Sequence, residues 1–211
     1  MKLTKYVHAC MVLEENGKRL VIDPGGFTPD FGGTDNIAAI VVTHVHQDHY
    51  NADHLDAIFA ANPEATLYTT QEVIDQYRKG NSVIAQDGQT ATVGPFTLAF
   101  TGDLHALVHQ SIPRIHNIAV SVNDVFFYPG DSYTIPAATP TILAVPLDAP
   151  WMRISESMDY VTRVKPQQAF GTHDALLSDA GHSVYGGALQ QAAQGAGVKY
   201  TALKPNDSIE L

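Results

Sequence analysis

The sequence predicts an α/β protein built from two mixed β-sheets packed face to face, with helices on the outside. Three observations carry this reading. Runs of β-branched and apolar residues dominate, with helical stretches interspersed. Hairpin signals stand beside strand–helix units, whereas a doubly wound parallel sheet would alternate more strictly. The 211 residues suffice for one domain and are too few for two ordinary ones. No fixed-period repeat or low-complexity linker interrupts the chain, so residues 1–211 read as a single domain.

Residues 5–13 and 19–22 read as strands joined by Glu14-Glu15-Asn16-Gly17-Lys18, whose Asn-Gly pair is a hairpin turn. The second strand ends in Asp23-Pro24-Gly25-Gly26. Residues 37–43 form a continuous apolar run of the buried-strand type, followed by a His-rich loop and a helix over 52–61. A strand over 65–70 precedes a helix over 71–79 that Gly80 closes. Residues 90–93, 96–101, 118–122 and 125–128 read as strands parted by Gly, Pro and Asn-Asp turns. A buried strand over 141–145, a helix over 154–164, a strand over 168–171 and a helix over 183–194 follow. Strands over 198–203 and 208–211 finish the chain.

The composition, 45% hydrophobic and 16% charged, describes a globular chain and excludes a disordered or fibrous one. Acidic side chains outnumber basic ones 22 to 12, a net charge of −10, so nucleic acid would be repelled. The single cysteine, Cys10, excludes an internal disulfide and a cysteine-based zinc site, and its apolar setting places it in the core. Met1 to His8 holds no apolar signal core, and no run approaches the ~20 apolar residues of a membrane helix. The expectation is a cytoplasmic protein without a membrane partner.

The chemistry concentrates in His44-Val45-His46-Gln47-Asp48-His49, an H-x-H-x-D-H motif at the end of a buried strand, where α/β proteins place their sites. In an extended chain His44, His46 and Asp48 share a face, and His49 points elsewhere. Packed together without a cation, these groups would compete for few partners. Neutral imidazole and carboxylate are ligands for Zn²⁺, and also for Mn²⁺ and Fe²⁺. Further ligands must come from other segments. Asp131, after the apolar strand ending Tyr128-Pro129-Gly130, is one candidate, and His173, at another strand end, is a second. Among His105, His109 and His116, placement after a strand favours His105, leaves His109 as the alternative and disfavours His116. Asp23 and His8 are candidates to orient a ligand imidazole, although Asp23 could instead cap its own turn. His54 reads as a surface or packing residue. Trp151 is expected to pack the start of the helix at 154, with lining of the cleft as the alternative.

These residues resemble the metallo-β-lactamase-fold hydrolase superfamily. The resemblance rests on the H-x-H-x-D-H motif, Gly130-Asp131 after an apolar strand, and His173. The opening Tyr6-Val7-His8-Ala9-Cys10, with Leu20-Val21-Ile22-Asp23-Pro24, is similar to the small branch typified by ascorbate-6-phosphate lactonase. The resemblance implies a four-layer αβ/βα sandwich with a dinuclear metal site at one sheet edge. It implies that His44, His46 and His105 hold one ion, that Asp48, His49 and His173 hold the other, and that Asp131 bridges them with a hydroxide. It also allows a homo-oligomer.

Two divalent ions, Zn²⁺ first and Mn²⁺ or Fe²⁺ as alternatives, would bring the pKa of bound water down towards about 7 and stabilise an oxyanion. The expected reaction is hydrolysis of a small, anionic ester, lactone or phosphodiester by a metal-bridging hydroxide. Asp48 would orient that hydroxide, and His182, in a Gly-flanked loop, could protonate the leaving group. The alternative is a metal-binding sensor or interaction protein without turnover. A two-iron redox protein of this fold usually carries a flavin domain, for which 211 residues leave no room.

Overall fold

Central strands buried on both faces build the architecture. The structure, a computed structural model, describes residues 1–211. The first half of the chain forms β1 (Lys2–Lys5), β2 (Met11–Glu15), β3 (Lys18–Ile22), β4 (Ile37–Val42), α1 (Ala52–Ala61), β5 (Thr66–Thr69), α2 (Gln71–Gln76) and β6 (Asn81–Ile84). The second half forms β7 (Thr90–Val93), β8 (Phe96–Thr101), β9 (Ala119–Val122), β10 (Phe126–Tyr128), β11 (Ile142–Pro146), α3 (Ile154–Val164), β12 (Gln168–Thr172), α4 (Asp179–Gly195), β13 (Lys199–Tyr200) and β14 (Ser208–Glu210).

Each sheet has seven strands, ordered β14-β1-β2-β3-β4-β5-β6 and β13-β12-β11-β10-β9-β8-β7. In both, antiparallel pairing on one side gives way to parallel pairing on the other, from β3 to β6 and from β10 to β13. The C-terminal segment joins both sheets, β13 at the edge of one and β14 beside β1 in the other.

Period-two alternation of side-chain direction divides the buried residues between layers. Met11, Leu13, Leu20, Ile22, Ala39 and Val41 face inward against Phe96, Leu98, Phe100, Phe126, Tyr128 and Phe170 of the opposite sheet. Val12, Val21, Ile40 and Val42 face outward onto Leu55 and Ile58 of α1 and Val73 of α2. On the other side Phe127, Leu143 and Val145 meet Val161 of α3 and Leu189 of α4. The result is the four-layer αβ/βα sandwich, with the parallel halves delivering their C-terminal ends to one edge.

Several boundaries differ from the sequence reading. The strand expected over 5–13 is broken: β1 stops at Lys5, and a turn carrying His8 at φ 63° precedes β2. That turn takes Cys10 with it, yet the thiol is still buried in the outer core. The helix expected over 71–79 stops at Gln76, where the Tyr77 hydroxyl reaches Asp56 instead. Strand β6 carries no apolar run and exists only through its parallel pairing with β5. Helix α4 starts four residues earlier than expected, because Ser178 caps it by accepting from the Gly181 amide. His182 is therefore on the first turn of a helix and not in a loop.

Phe170 is fully buried and stacked on Phe126 between the sheets. Phe170→Ala should cost about 3–5 kcal/mol of folding stability, read from the urea midpoint at unchanged m-value.

Candidate metal centre

The loops after β4, β8, β10 and β12 bring His44, His46, Asp48, His49, His105, Asp131 and His173 into one cluster. Potential ligand atoms fall into two groups, each within 4.8 Å: His44, His46, His105 and Asp131, and His8, Asp48, His49 and His173. Asp131 faces both, with Oδ1 3.2 Å from His49 Nε2 and Oδ2 3.3 Å from both His105 Nε2 and His173 Nε2. Asp48 Oδ2 is 3.4 Å from His173 Nε2.

The other side of each ring explains what these atoms can do. His49 Nδ1 donates to Asp23 Oδ2 at 2.7 Å, and His105 Nδ1 to the Ala106 carbonyl at 2.6 Å. His173 Nδ1 donates to the Asp148 carbonyl, and His44 Nδ1 to the Thr43 hydroxyl, whose own proton goes to Asp23. With Nδ1 carrying the proton, each Nε2 presents a lone pair. His49 Nε2, His105 Nε2, His173 Nε2 and Asp131 Oδ1 are buried without a hydrogen-bond partner. Acceptors that converge in this way fit a cation. Tetrahedral bonds of ~2.0 Å would place ligand atoms about 3.3 Å apart, which the Asp131 contacts match.

Asp23 organises the cluster from beneath. It is fully buried and accepts from the Thr43 amide (2.7 Å), the Thr43 hydroxyl (2.8 Å), His49 and the Tyr128 hydroxyl (3.0 Å). Of its two sequence roles, the structure supports orientation of a ligand ring. Gly25 makes this approach possible, since a Cβ there would overlap the Asp48 carbonyl. Backbone strain gathers here as well. Of nine non-Gly residues with positive φ, six are Asn or Asp, which tolerate it; of the other three, His8 and His173 sit in this cluster.

A family model described as the beta-lactamase superfamily domain matches residues 2–173. The chain belongs to that superfamily. Protein Rv0786c of Mycobacterium tuberculosis is 33% identical over 196 residues, covering 90% of this chain and 92% of its own. A UPF0173 metal-dependent hydrolase of Chelativorans is 30% identical over 120 residues, half of this chain and 49% of its own length. The metallo-beta-lactamase fold protein YhfI from Bacillus subtilis superposes with a TM-score of 0.74 at 16% identity, over 99% of this chain and 98% of its own.

Within this superfamily fold, the remaining sequence candidates separate clearly. His109 is exposed, bonded to Ser111 and outside the cluster that His105 joins. His116 pairs with Glu72 at the surface. His54 packs against Phe31 and holds the Pro24 carbonyl. His182 contacts none of the cluster; its nearest charged neighbour is Asp174, 4.0 Å away. The expectation that Trp151 packs the helix start is corrected. Its indole N–H donates to Asp131 Oδ2 at 2.8 Å, and its ring stands edge-on to His105. Asn117 was not anticipated: its side chain spans the Pro129 carbonyl and the Asp131 amide, fixing the Gly130 turn. Nothing in its local sequence signals this, because both partners lie in a distant strand's exit.

Burial lowers the pKa of His44 well below its ordinary value and lowers His46 too, keeping both rings neutral. Burial also opposes charge on His49 and His173, but Asp131, with Asp23 or Asp48, outweighs it. His49 is raised well above its ordinary value, and His173 to about 9. The same neighbours hold Asp131 and Asp48 below the usual carboxylate range despite burial. A bound cation would displace those imidazole protons.

The raised His173 pKa gives stability that is complete below pH ~6.5 and lost as pH rises through about 9. Chelator-treated protein should therefore show a falling Tm across that interval, and protein in excess zinc should not; equal slopes would refute the coupling. Asp23→Asn should weaken zinc binding by about 10–100-fold in a competition titration while the far-UV spectrum is kept.

Proposed function

We propose that the chain is a metal-dependent hydrolase that uses two divalent ions, Zn²⁺ or alternatively Mn²⁺ or Fe²⁺, to cleave a small anionic ester, lactone or phosphodiester. The observation that carries this reading is the set of unpartnered Nε2 and Oδ1 atoms converging between rings whose Nδ1 atoms are all engaged. The metal-dependent hydrolase of Chelativorans supports the same class. His44, His46 and His105 would hold one ion, Asp48, His49 and His173 the other, and Asp131 would touch both.

Bound there, the ions would supply an acidified water and a Lewis acid for the developing oxyanion. The chain's own residues supply position. Asp23 and the Ala106 and Asp148 carbonyls hold the rings, and the Trp151 indole fixes the Asp131 carboxylate and shields it on one side. Asp48, partly open to solvent, would orient the attacking water.

Substrate charge is read from Arg114. Its Nε and Nη2 donate to the His105 carbonyl at 2.9 and 2.6 Å, and no carboxylate pairs with it. It lines a crevice with His46, His105, Val108, Ile112 and Ile115. A guanidinium anchored beside a ligand loop, with its remaining N–H groups outward, suits a carboxylate or phosphate next to an apolar substituent.

The test is turnover of p-nitrophenyl esters, lactones and bis-p-nitrophenyl phosphate before and after chelation. Activity should vanish with chelator and return with metal, and Asp131→Asn should lower it by about 100-fold. Two firmly bound ions with no turnover on any of the three would overturn hydrolysis. Arg114→Ala should raise KM for anionic substrates by about tenfold and leave kcat and neutral substrates little changed.

A further inference from the structure

We propose that His8 is not a ligand of the second ion but a positioning residue, which donates its Nε2–H to Asp48 and ties the two loops flanking that ion together. This rests on the dinuclear reading above. On distance alone His8 looks like a fourth ligand, because its ring nitrogen lies within 4.8 Å of the ligand atoms of Asp48, His49 and His173.

Hydrogen bonding decides otherwise. The Ala175 backbone N–H, which can only donate, points at His8 Nδ1 at 3.2 Å. That nitrogen must therefore present a lone pair, and the neutral ring carries its proton on Nε2. Nε2 is 3.1 Å from Asp48 Oδ2, which accepts it. A ligating Nε2 would need the proton on Nδ1, placing one donor against another. Turning the ring over would put carbon atoms against both partners and lose both bonds. The three rings at His49, His105 and His173 show the opposite arrangement, with Nδ1 donating and Nε2 free of any hydrogen-bond partner.

The main chain of His8 adds a second tie. Its carbonyl accepts from the His173 amide at 3.0 Å and from the Thr172 hydroxyl at 2.9 Å. Its φ of 63° is held although the residue is not glycine. The ring lies 3.9 Å from the His173 ring, centroid to centroid. One residue thus binds Asp48, from the loop after β4, and His173, from the end of β12 in the other sheet. Asp48 Oδ2 has two lone pairs: His8 takes one, and the other is left for the ion.

Imidazole ¹⁵N spectra of the whole protein test this directly, metal-free and loaded with zinc or ¹¹³Cd. His8 should stay protonated on Nε2 and unprotonated on Nδ1 in every state. Cadmium coupling should appear at His49 and His173 and be absent at His8. A proton on Nδ1 of His8, or cadmium coupling to its ring, would overturn the proposal. His8→Gln retains an N–H towards Asp48, whereas His8→Ala does not. Both should still bind two zinc ions, with the weaker affinity reduced by about 10–100-fold in His8→Ala and less in His8→Gln. Equal loss of one whole ion in both variants would make His8 a ligand. Should the protein take up none of zinc, manganese and iron, the hydrolase reading fails, while the metal-free spectrum still decides the tautomer.

Discussion

The buried carboxylate of Asp23 is the constraint on which the rest of the site depends. It has no solvent to stabilise its charge, so it must be satisfied by donors, and it collects four from the exits of two strands, β4 and β10. Each donor does double duty. The Thr43 amide and hydroxyl fix the exit of β4, where the H-x-H-x-D-H segment begins. His49 is locked with its lone pair towards the cluster, and the Thr43 hydroxyl passes the same constraint on to His44. Tyr128, from the opposite sheet, ties the base of the Gly130 turn to the same anion.

That last tie reflects a wider arrangement. Each sheet changes from antiparallel to parallel pairing part-way across, and the parallel strands open their C-terminal ends at one edge. One sheet supplies His44 through His49, the other supplies His105, Asp131 and His173, and the centre exists only where the two edges meet. The central core between the sheets therefore does more than stabilise the fold. Its packing fixes how the two sheet edges meet, and so which side chains face one another across the cluster.

The electrostatics follow from the same geometry. A chain with net charge −10 gathers several imidazoles around two carboxylates in a buried pocket. Burial keeps His44 neutral, while Asp131 draws protons to His49 and His173. The cluster thus has its own local charge balance, which proton or metal can satisfy. Arg114, anchored on the His105 carbonyl, adds a fixed positive charge to the crevice beside it.

Much of this was legible in the order of residues alone. The continuous apolar run at 37–43, the strand at 96–101, the Asn-Gly hairpin and the helices at 52–61 and 154–164 follow from local patterning and appear in the structure nearly residue for residue. The six-residue motif declared its chemistry because ligands crowded into so short a segment have few other uses. Where the signal was not local, the sequence fell short. Strand β6 forms only by pairing, His105 and His109 differ only in where their loop folds, and Trp151 and Asn117 meet Asp131 from remote segments. The tautomer of His8 belongs with these. The Ala175 amide that sets it lies 167 positions away, and a proton's place on a ring is decided by its neighbours in space, not by those in the chain.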